Sequence, residues 1–349
     1  MVKRLIFLAE PRYTGIGKYV EDIVNYVSMD TQIFSILFKR KINQEYLGIV
    51  NDGDLKLPFT NGWYFNSHFQ SLAFKRLRMD TVSKPAGKIF HYADIQVTPF
   101  TDPTQSVVTV HDLFNALDKY NRKYSYKIYS FVKKNIKKYR HFSNVITDSK
   151  YVANEATENG FEGNPVVIYP PVSKEFKQIR NKRELREKWN LPSNKTLIFS
   201  ISSNDPRKNV KTVVETVKEL GPNFSLVRIG SPVNSAYNFM KLKSNEVNEL
   251  YNACDMLLFP TLDEGFGYPL VEAMATGLPI VSSNIPVIEE VTANAAELVE
   301  PSIKNLKQAI YNVIADPSAF IEKGLKRAMD FSFERFSNQL TEYYDSMLE

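Results

Sequence analysis

Short apolar runs alternate along the chain with longer stretches in which apolar positions recur every three or four residues. The first kind reads as a buried strand, the second as a helix with one apolar stripe. In the first half this predicts strands over residues 3–8, 32–38, 106–110, 144–147 and 165–168. It predicts helices over residues 15–27, 118–142 and 149–159, the last with Ser149 as its N-cap. Strands alternating with helices imply parallel βαβ units. Pro170 and Pro171 halt the rhythm, and the polar stretch 173–183 is the expected interdomain linker. The rhythm then restarts with strands at 196–200, 225–229, 256–260 and 279–282 and helices at 209–220, 245–253 and 269–276. Two helical stretches, 303–315 and about 317–347, close the chain. The expectation is an α/β protein of two doubly wound, Rossmann-like domains facing each other across a cleft, residues 1–172 and 173–329.

Length agrees, since 349 residues is long for a single core. With 43% hydrophobic and 24% charged residues the composition is that of a globular protein. No apolar run approaches the roughly 18–20 residues that span a bilayer. The N-terminal VKRLIFLAEP is too short for a signal-peptide core and lacks a small-residue cleavage site. A cytoplasmic location is therefore expected, and the single cysteine, Cys254, fits it because no internal disulfide can form. The net charge of +5 is unevenly shared: residues 1–172 carry 23 Lys and Arg against 16 Asp and Glu, residues 173–349 carry 21 against 23. The first half thus suits an anionic partner, and nucleic acid, a phospholipid surface and a phosphate-bearing substrate are all open.

The most informative stretch is FPTLDEGFGYPLVEAMATGLPIVSS, residues 259–283. An apolar strand enters Asp263-Glu264-Gly265-Phe266-Gly267, and Pro269 then opens a helix where proline is favoured. Glycines let a ligand approach the backbone, and a helix N-terminus adds positive potential, so the turn is suited to an anion. Glu264 and Glu272 supply strong acceptors for sugar hydroxyls. Taken alone, the same residues are equally a structural turn with solvated glutamates. The whole string E-G-F-G-x-P-x-x-E-A-M-A-x-G-x-P-I-V-S, with seven residues between Glu264 and Glu272, resembles the signature of retaining GT-B glycosyltransferases of family 4, the group 1 transferases.

That resemblance implies the GT-B fold, with a C-terminal helix (about 330–349) crossing back to the N-terminal domain, and a hexosyltransferase using a nucleotide-sugar donor. It implies that Glu264 contacts the transferred sugar, that Glu272 holds the ribose, and that the Gly265-Phe266-Gly267 backbone receives the diphosphate. Upstream, Asn204-Asp205-Pro206-Arg207-Lys208-Asn209 lies between a strand and a helix, where cations suit a diphosphate leaving group. Read alone it is also a common solvated basic turn. The family has a similar P-R-K-N, which places Lys208 on the diphosphate. Many members carry an arginine about five residues earlier, where this chain has Ser203, and Arg207 is the candidate substitute.

In the first domain, Thr14-Gly15-Ile16-Gly17-Lys18-Tyr19 opens a helix after the first strand. It departs from the dinucleotide pattern, since Val20 stands at the third glycine position. The family's G-I-G-x-Y loop places Gly15 and Gly17 across the cleft from the donor phosphates. Val110-His111-Asp112-Leu113 ends a buried strand, where α/β ligand sites gather. A lone histidine is more often structural; resemblance to a family V-T-V-H-D-L implies that His111 hydrogen-bonds the donor sugar or helps organise the reacting face, with Asp112 either orienting it or capping the next loop. A stretch beginning at Lys119 and closing at His141 carries nine Lys and Arg, no Asp or Glu, and interleaved Tyr120, Tyr124, Tyr126, Tyr129, Phe131 and Tyr139. It reads as a core helix with a basic outer face, or as a surface for peripheral docking to an anionic membrane or lipid-diphosphate acceptor. No nucleic-acid-binding motif accompanies it.

No acidic pair at a strand end and no His/Cys cluster has metal spacing, so metal independence and no cofactor are expected. The resemblance implies that the leaving diphosphate assists acceptor deprotonation, with Glu264 positioning the sugar and no covalent nucleophile. P-R-K-N with V-T-V-H-D-L resembles the mannosyltransferase-like branch, which makes GDP-mannose the first donor and UDP-glucose or another UDP-sugar the second. The acceptor is open between a lipid-linked glycan, a free sugar and a protein glycan, and the oligomeric state is open too. A nucleotide-sugar epimerase on the same fold, or a non-enzymatic sugar- or polyanion-binding protein, are the alternatives. Three departures from the family stand out: a short segment 230–239 that lacks one peripheral helix, Glu289-Glu290 in place of Pro-Glu, and Phe333 in place of a frequent Trp.

Overall fold

The computed structural model describes residues 3–8, 15–26, 30–35, 88–95, 99, 102–117, 126–234 and 236–347. Two units emerge, one of residues 1–170 with 336–349, the other of residues 171–335. The first is built from β1 (Lys3–Leu8), α1 (Gly15–Tyr26), β2 (Asp30–Ser35), β3 (Lys88–Tyr92), β4 (Ser106–Val110), α2 (Phe114–Leu117), α3 (Tyr126–Tyr139), β5 (Asn144–Thr147), α4 (Lys150–Glu158) and β6 (Val166–Val167). Its strands form one sheet in the order β2-β1-β3-β4-β5-β6, parallel throughout. β4 is buried at every position, Ser106 and Thr109 included, as a central strand of a parallel sheet covered on both faces is.

The second unit contains α5 (Lys182–Lys188), β7 (Thr196–Ile201), α6 (Val210–Leu220), β8 (Phe224–Ile229), β9 (Ala236–Phe239), α7 (Ser244–Ala253), β10 (Met256–Phe259) and α8 (Tyr268–Thr276). It continues with β11 (Ile280–Ser283), α9 (Pro286–Thr292), β12 (Glu297–Val299), α10 (Ile303–Ala315) and α11 (Pro317–Ala328), and a last helix α12 spans Phe333–Ser346. The sheet order is β12-β11-β10-β7-β8-β9, again parallel. The chain winds from β7 to β8 and β9 on one side, then crosses to β10 on the other. The crevice at such a reversal, beyond the C-terminal strand ends, is where ligands bind in open α/β sheets.

Several elements depart from the pattern reading. The helix expected over 118–142 runs from 126 to 139 among the described residues; Lys119, Tyr120 and Tyr124 lie outside them, as does Thr14. The polar stretch 173–183 is stitched to α7: Asn248 Oδ1 accepts from Lys177 N at 3.1 Å and Asn252 Oδ1 from Ile179 N at 2.8 Å. Its end starts α5, which Asn181 caps in the left-handed conformation (φ 82°). Within 230–239 the chain forms the edge strand β9. The helix expected to run from 317 breaks after Ala328, because Phe331 is drawn into the core and extended Ser332 caps α12, accepting from Arg335 N at 3.2 Å. Phe336, Leu340 and Tyr344 of α12 join the core of the first unit with Tyr19, Ile23 and Val107. The second core gathers Ile198, Val213, Leu258, Val281 and Ile310.

Candidate active site

The chain leaving β10 is pinned to the turn that follows β7. Asp205 caps the single turn Pro206–Lys208, its Oδ1 accepting from Arg207 N at 3.1 Å. Asn209 ends that turn at φ 53°, a conformation asparagine tolerates. From there its side-chain amide donates to Pro260 O at 3.1 Å. Arg207 O accepts from Leu262 N at 2.6 Å and from the Thr261 hydroxyl at 3.0 Å. These bonds bring Arg207 and Lys208 onto Glu264. Arg207 Nη1 donates to Glu264 Oε2 at 3.0 Å and to Asp263 O at 2.9 Å, while Lys208 Nζ binds Glu264 Oε1. Lys208 also sits 5.5 Å from the centre of the Phe259 ring.

All three charged side chains are largely buried. Burial raises the Glu264 pKa, but Lys208 and Arg207 more than offset it, and the carboxyl is held below its ordinary value. Burial lowers the Lys208 pKa, and the raising effect of Glu264 only partly compensates. Asp205 Oδ2 also lies 3.9 Å from Arg207 Nε, so two carboxylates and two cations gather in a water-poor place, where a phosphate can compete for the cations.

Beyond Glu264 the backbone turns into α8 through Gly267, whose φ of 97° would strain any other residue. A Cβ there would lie 2.9 Å from Leu270 Cδ1. The Phe266 ring packs edge-on to Tyr268 and Phe331, so the side chain anchors the turn. Glu272 lies in the same helix and is buried; its Oε2 accepts from the Tyr251 hydroxyl at 2.9 Å. Tyr251 comes from α7 and is wedged against Phe199 and Phe176. Burial and then Glu272 push its phenol pKa well up, keeping it a donor. The pattern reading missed Tyr251, which looks locally like any core tyrosine.

In the first unit, Gly15 and Gly17 open α1. His111 follows β4, and it is flanked by residues that follow the neighbouring strands. Its Nδ1 lies 2.6 Å from Asp148 Oδ2, after β5, and its Nε2 lies 2.9 Å from Ala93 O, after β3. Both acceptors want a proton. Burial opposes the charged ring, yet Asp148, with Asp94 and Asp112 behind it, raises the pKa to about 9. His111 is thus an imidazolium with both N–H groups donated. Asp112 does not touch it by any of these bonds and instead caps α2, accepting from Phe114 N at 3.2 Å. Tyr19 packs edge-on to the His111 ring at 4.8 Å, and its hydroxyl meets Thr109 Oγ1, which also contacts His91 Nε2. Tyr344 reaches the other nitrogen of His91 at 2.5 Å. On α3, Lys133, Lys134, Lys137 and Lys138 are exposed and Asn135, Ile136 and Tyr139 buried, so this part of the basic stretch does present a charged face.

Among the described residues no group of three or more His, Cys, Asp or Glu could hold a metal ion, and no helix is long and apolar enough to cross a membrane. Residues 181–329 match the family described as Glycosyl transferases group 1. The chain carries a group 1 glycosyl transferase domain. The Lys208–Glu264 cluster, the glycine turn and Glu272 all lie within that domain. The O-antigen chain mannosyltransferase RfbU of Salmonella typhimurium is 27% identical over 263 residues, 69% of this chain and 66% of RfbU. The serotype-specific mannosyltransferase WbdA of Escherichia coli is 24% identical over 280 residues, 71% of this chain but 34% of WbdA. The chain therefore spans between a third and two thirds of these relatives' lengths. HepE of Anabaena, solved with UDP and glucose, superposes with a TM-score of 0.78 at 15% identity, over 99% of this chain and 100% of that one. The two parallel-sheet units are those of the GT-B fold.

Proposed function

We propose that the protein transfers a hexose from a nucleoside diphosphate sugar to a glycan acceptor with retention of anomeric configuration, as a family 4 enzyme. The observation that carries this is the buried Glu264 carboxylate shared by Lys208 and Arg207 beside the N-terminus of α8. Such an arrangement offers two cations and helix amides to a diphosphate, and a fixed carboxylate to the attached sugar. In the reaction the bond from the anomeric carbon to the β-phosphate oxygen breaks and a bond to the acceptor oxygen forms on the same face. The acceptor proton passes to a phosphate oxygen of the leaving diphosphate. Lys208 and Arg207 stabilise the charge that develops there, so no divalent cation is required. Glu264 positions the sugar, and Glu272, oriented by Tyr251, takes the ribose hydroxyls. The Gly265-Phe266-Gly267 backbone and the Gly15–Gly17 turn contact the diphosphate, and the His111 imidazolium serves the reacting face.

GDP-mannose is the first donor, in keeping with the mannosyltransferase names of RfbU and WbdA, and UDP-glucose the second, in keeping with the HepE complex. The acceptor is a lipid-linked glycan, reached by peripheral docking of the basic face around Lys133, Lys134, Lys137 and Lys138 on an anionic membrane. The test is a thermal-shift series with GDP, UDP and ADP, followed by nucleotide-release assays with the matching sugars in EDTA. Stabilisation by one nucleotide and acceptor-dependent release are expected. No stabilisation by any nucleotide, or release that EDTA abolishes and manganese restores, overturns the donor site or its metal independence respectively.

A further inference from the structure

Arg228, next to last in β8, is a fully buried guanidinium. Its Nε donates to Ser231 O at 3.2 Å. Nη1 donates to the hydroxyls of Ser200 and Ser202 at 3.2 and 3.3 Å, and Nη2 to Ser202 O and Asn204 Oδ1, both at 3.0 Å. All of its N–H groups are thereby used, and every acceptor is neutral. Among the described residues no carboxylate pairs with it, and burial alone acts on its pKa, lowering it. Arginine nevertheless keeps its proton. A buried charge without a counter-charge is costly, and hydrogen bonds to neutral groups orient dipoles without cancelling it.

Its placement suggests what the charge is for. Ser202 and Asn204 lie on the loop that leaves β7 and runs directly into Asp205 and the Pro206–Lys208 turn. Across from them Gly230 (φ 141°) comes so near that a Cβ would collide with Ser202 O. Arg228 therefore clamps the two loops at the same strand-end edge that carries Lys208. We infer that Arg228 is a positioning residue for the anionic end of the ligand: it holds the loop that presents Arg207 and Lys208, and its uncancelled buried charge is a fixed electrostatic partner for a diphosphate that it never touches. In a water-poor site such a charge acts beyond contact distance and is weakly screened. The inference rests on the reading of this domain as a binder of nucleoside diphosphate sugars.

The test compares wild type, Arg228→Gln, Arg228→Lys and Asn204→Ala by calorimetric titration with guanosine, GMP and GDP, and with uridine, UMP and UDP. Wild type must bind one diphosphate; if it binds neither, the functional reading has failed and not this inference. In the series that binds, Arg228→Gln is expected to weaken the diphosphate roughly tenfold or more, the monophosphate less and the nucleoside hardly at all. Arg228→Lys, which keeps the charge, should recover part of that graded loss. Asn204→Ala, which frees the loop without removing the charge, should raise KM for the sugar donor and weaken the diphosphate several-fold while leaving Tm near wild type. An equal loss for nucleoside, monophosphate and diphosphate, or none, reduces Arg228 to a structural clamp and overturns the proposal. If Arg228→Gln does not fold, Asn204→Ala and Arg228→Lys decide: unchanged diphosphate affinity in both overturns it.

Discussion

Replacing Asp148 by Asn should convert His111 from a cation to a neutral imidazole without moving it. In the native protein Nδ1–H donates to Asp148 Oδ2 and Nε2–H to Ala93 O. An asparagine side chain can reverse the first bond, giving its amide N–H to a bare Nδ1 while Nε2–H stays on Ala93 O. Geometry is kept and charge is lost. The rise from 6.5 to about 9 corresponds to about 3 kcal/mol favouring the imidazolium in the folded state. Because the folded pKa lies above the unfolded one, this stabilisation is fully present below pH 6.5. It fades as pH rises toward 9 and is gone above it. Wild-type Tm should therefore fall between pH 6.5 and 9.5, and the Asp148→Asn protein, less stable at pH 6.5, should show a flatter profile. Histidine NMR, with His111 assigned by its disappearance in His111→Gln, measures the titration directly. In Asp148→Asn the pKa should fall well below the wild-type value, because burial then acts against Asp94 and Asp112 alone. A wild-type His111 titrating near 6.5, or a midpoint unmoved by Asp148→Asn, refutes the reasoning.

Three further outcomes follow from the second unit. Glu264→Gln removes the carboxylate that Lys208 and Arg207 share and leaves only Asp205, 3.9 Å from Arg207, beside them, a loss on the order of 3 kcal/mol; Tm should fall, a diphosphate should restore more of it than in wild type, and kcat should drop roughly 100-fold or more. Transfer within threefold of wild type removes Glu264 from the site. Tyr251→Phe removes the 2.9 Å hydroxyl donor from buried Glu272 at a cost of about 1–2 kcal/mol; KM for the sugar donor should rise several-fold with kcat little changed, and the opposite split counts against a ribose role. Gly267→Ala forces a side chain into the left-handed region and onto Leu270, costing about 1–2 kcal/mol or more; denaturant unfolding checks this, and a neutral effect contradicts the turn geometry.

The sequence by itself determined what is local. A strand that ends in Glu-Gly-Phe-Gly and a helix that opens at proline are neighbours along the chain, so the glycine turn and the spacing of Glu264 and Glu272 are legible as written. The same holds for the alternation of buried strands and striped helices, which is a matter of periodicity. Resemblance to the family singled out Lys208 and His111, which come after β7 and β4 along the chain. It could not show their partners. Glu264 lies 56 residues beyond Lys208, Asp148 lies 37 beyond His111, and Tyr251 lies 21 before Glu272. Parallel strands bring the residues after their C-terminal ends together only once whole βα crossovers have packed, and periodicity records the face of an element, not its neighbour. For the same reason Arg228 reads in sequence as an ordinary charge inside a strand. Only the packing of β8 against the loop after β7 makes it a buried cation, and only that packing reveals that its hydrogen-bond acceptors among the described residues are all neutral.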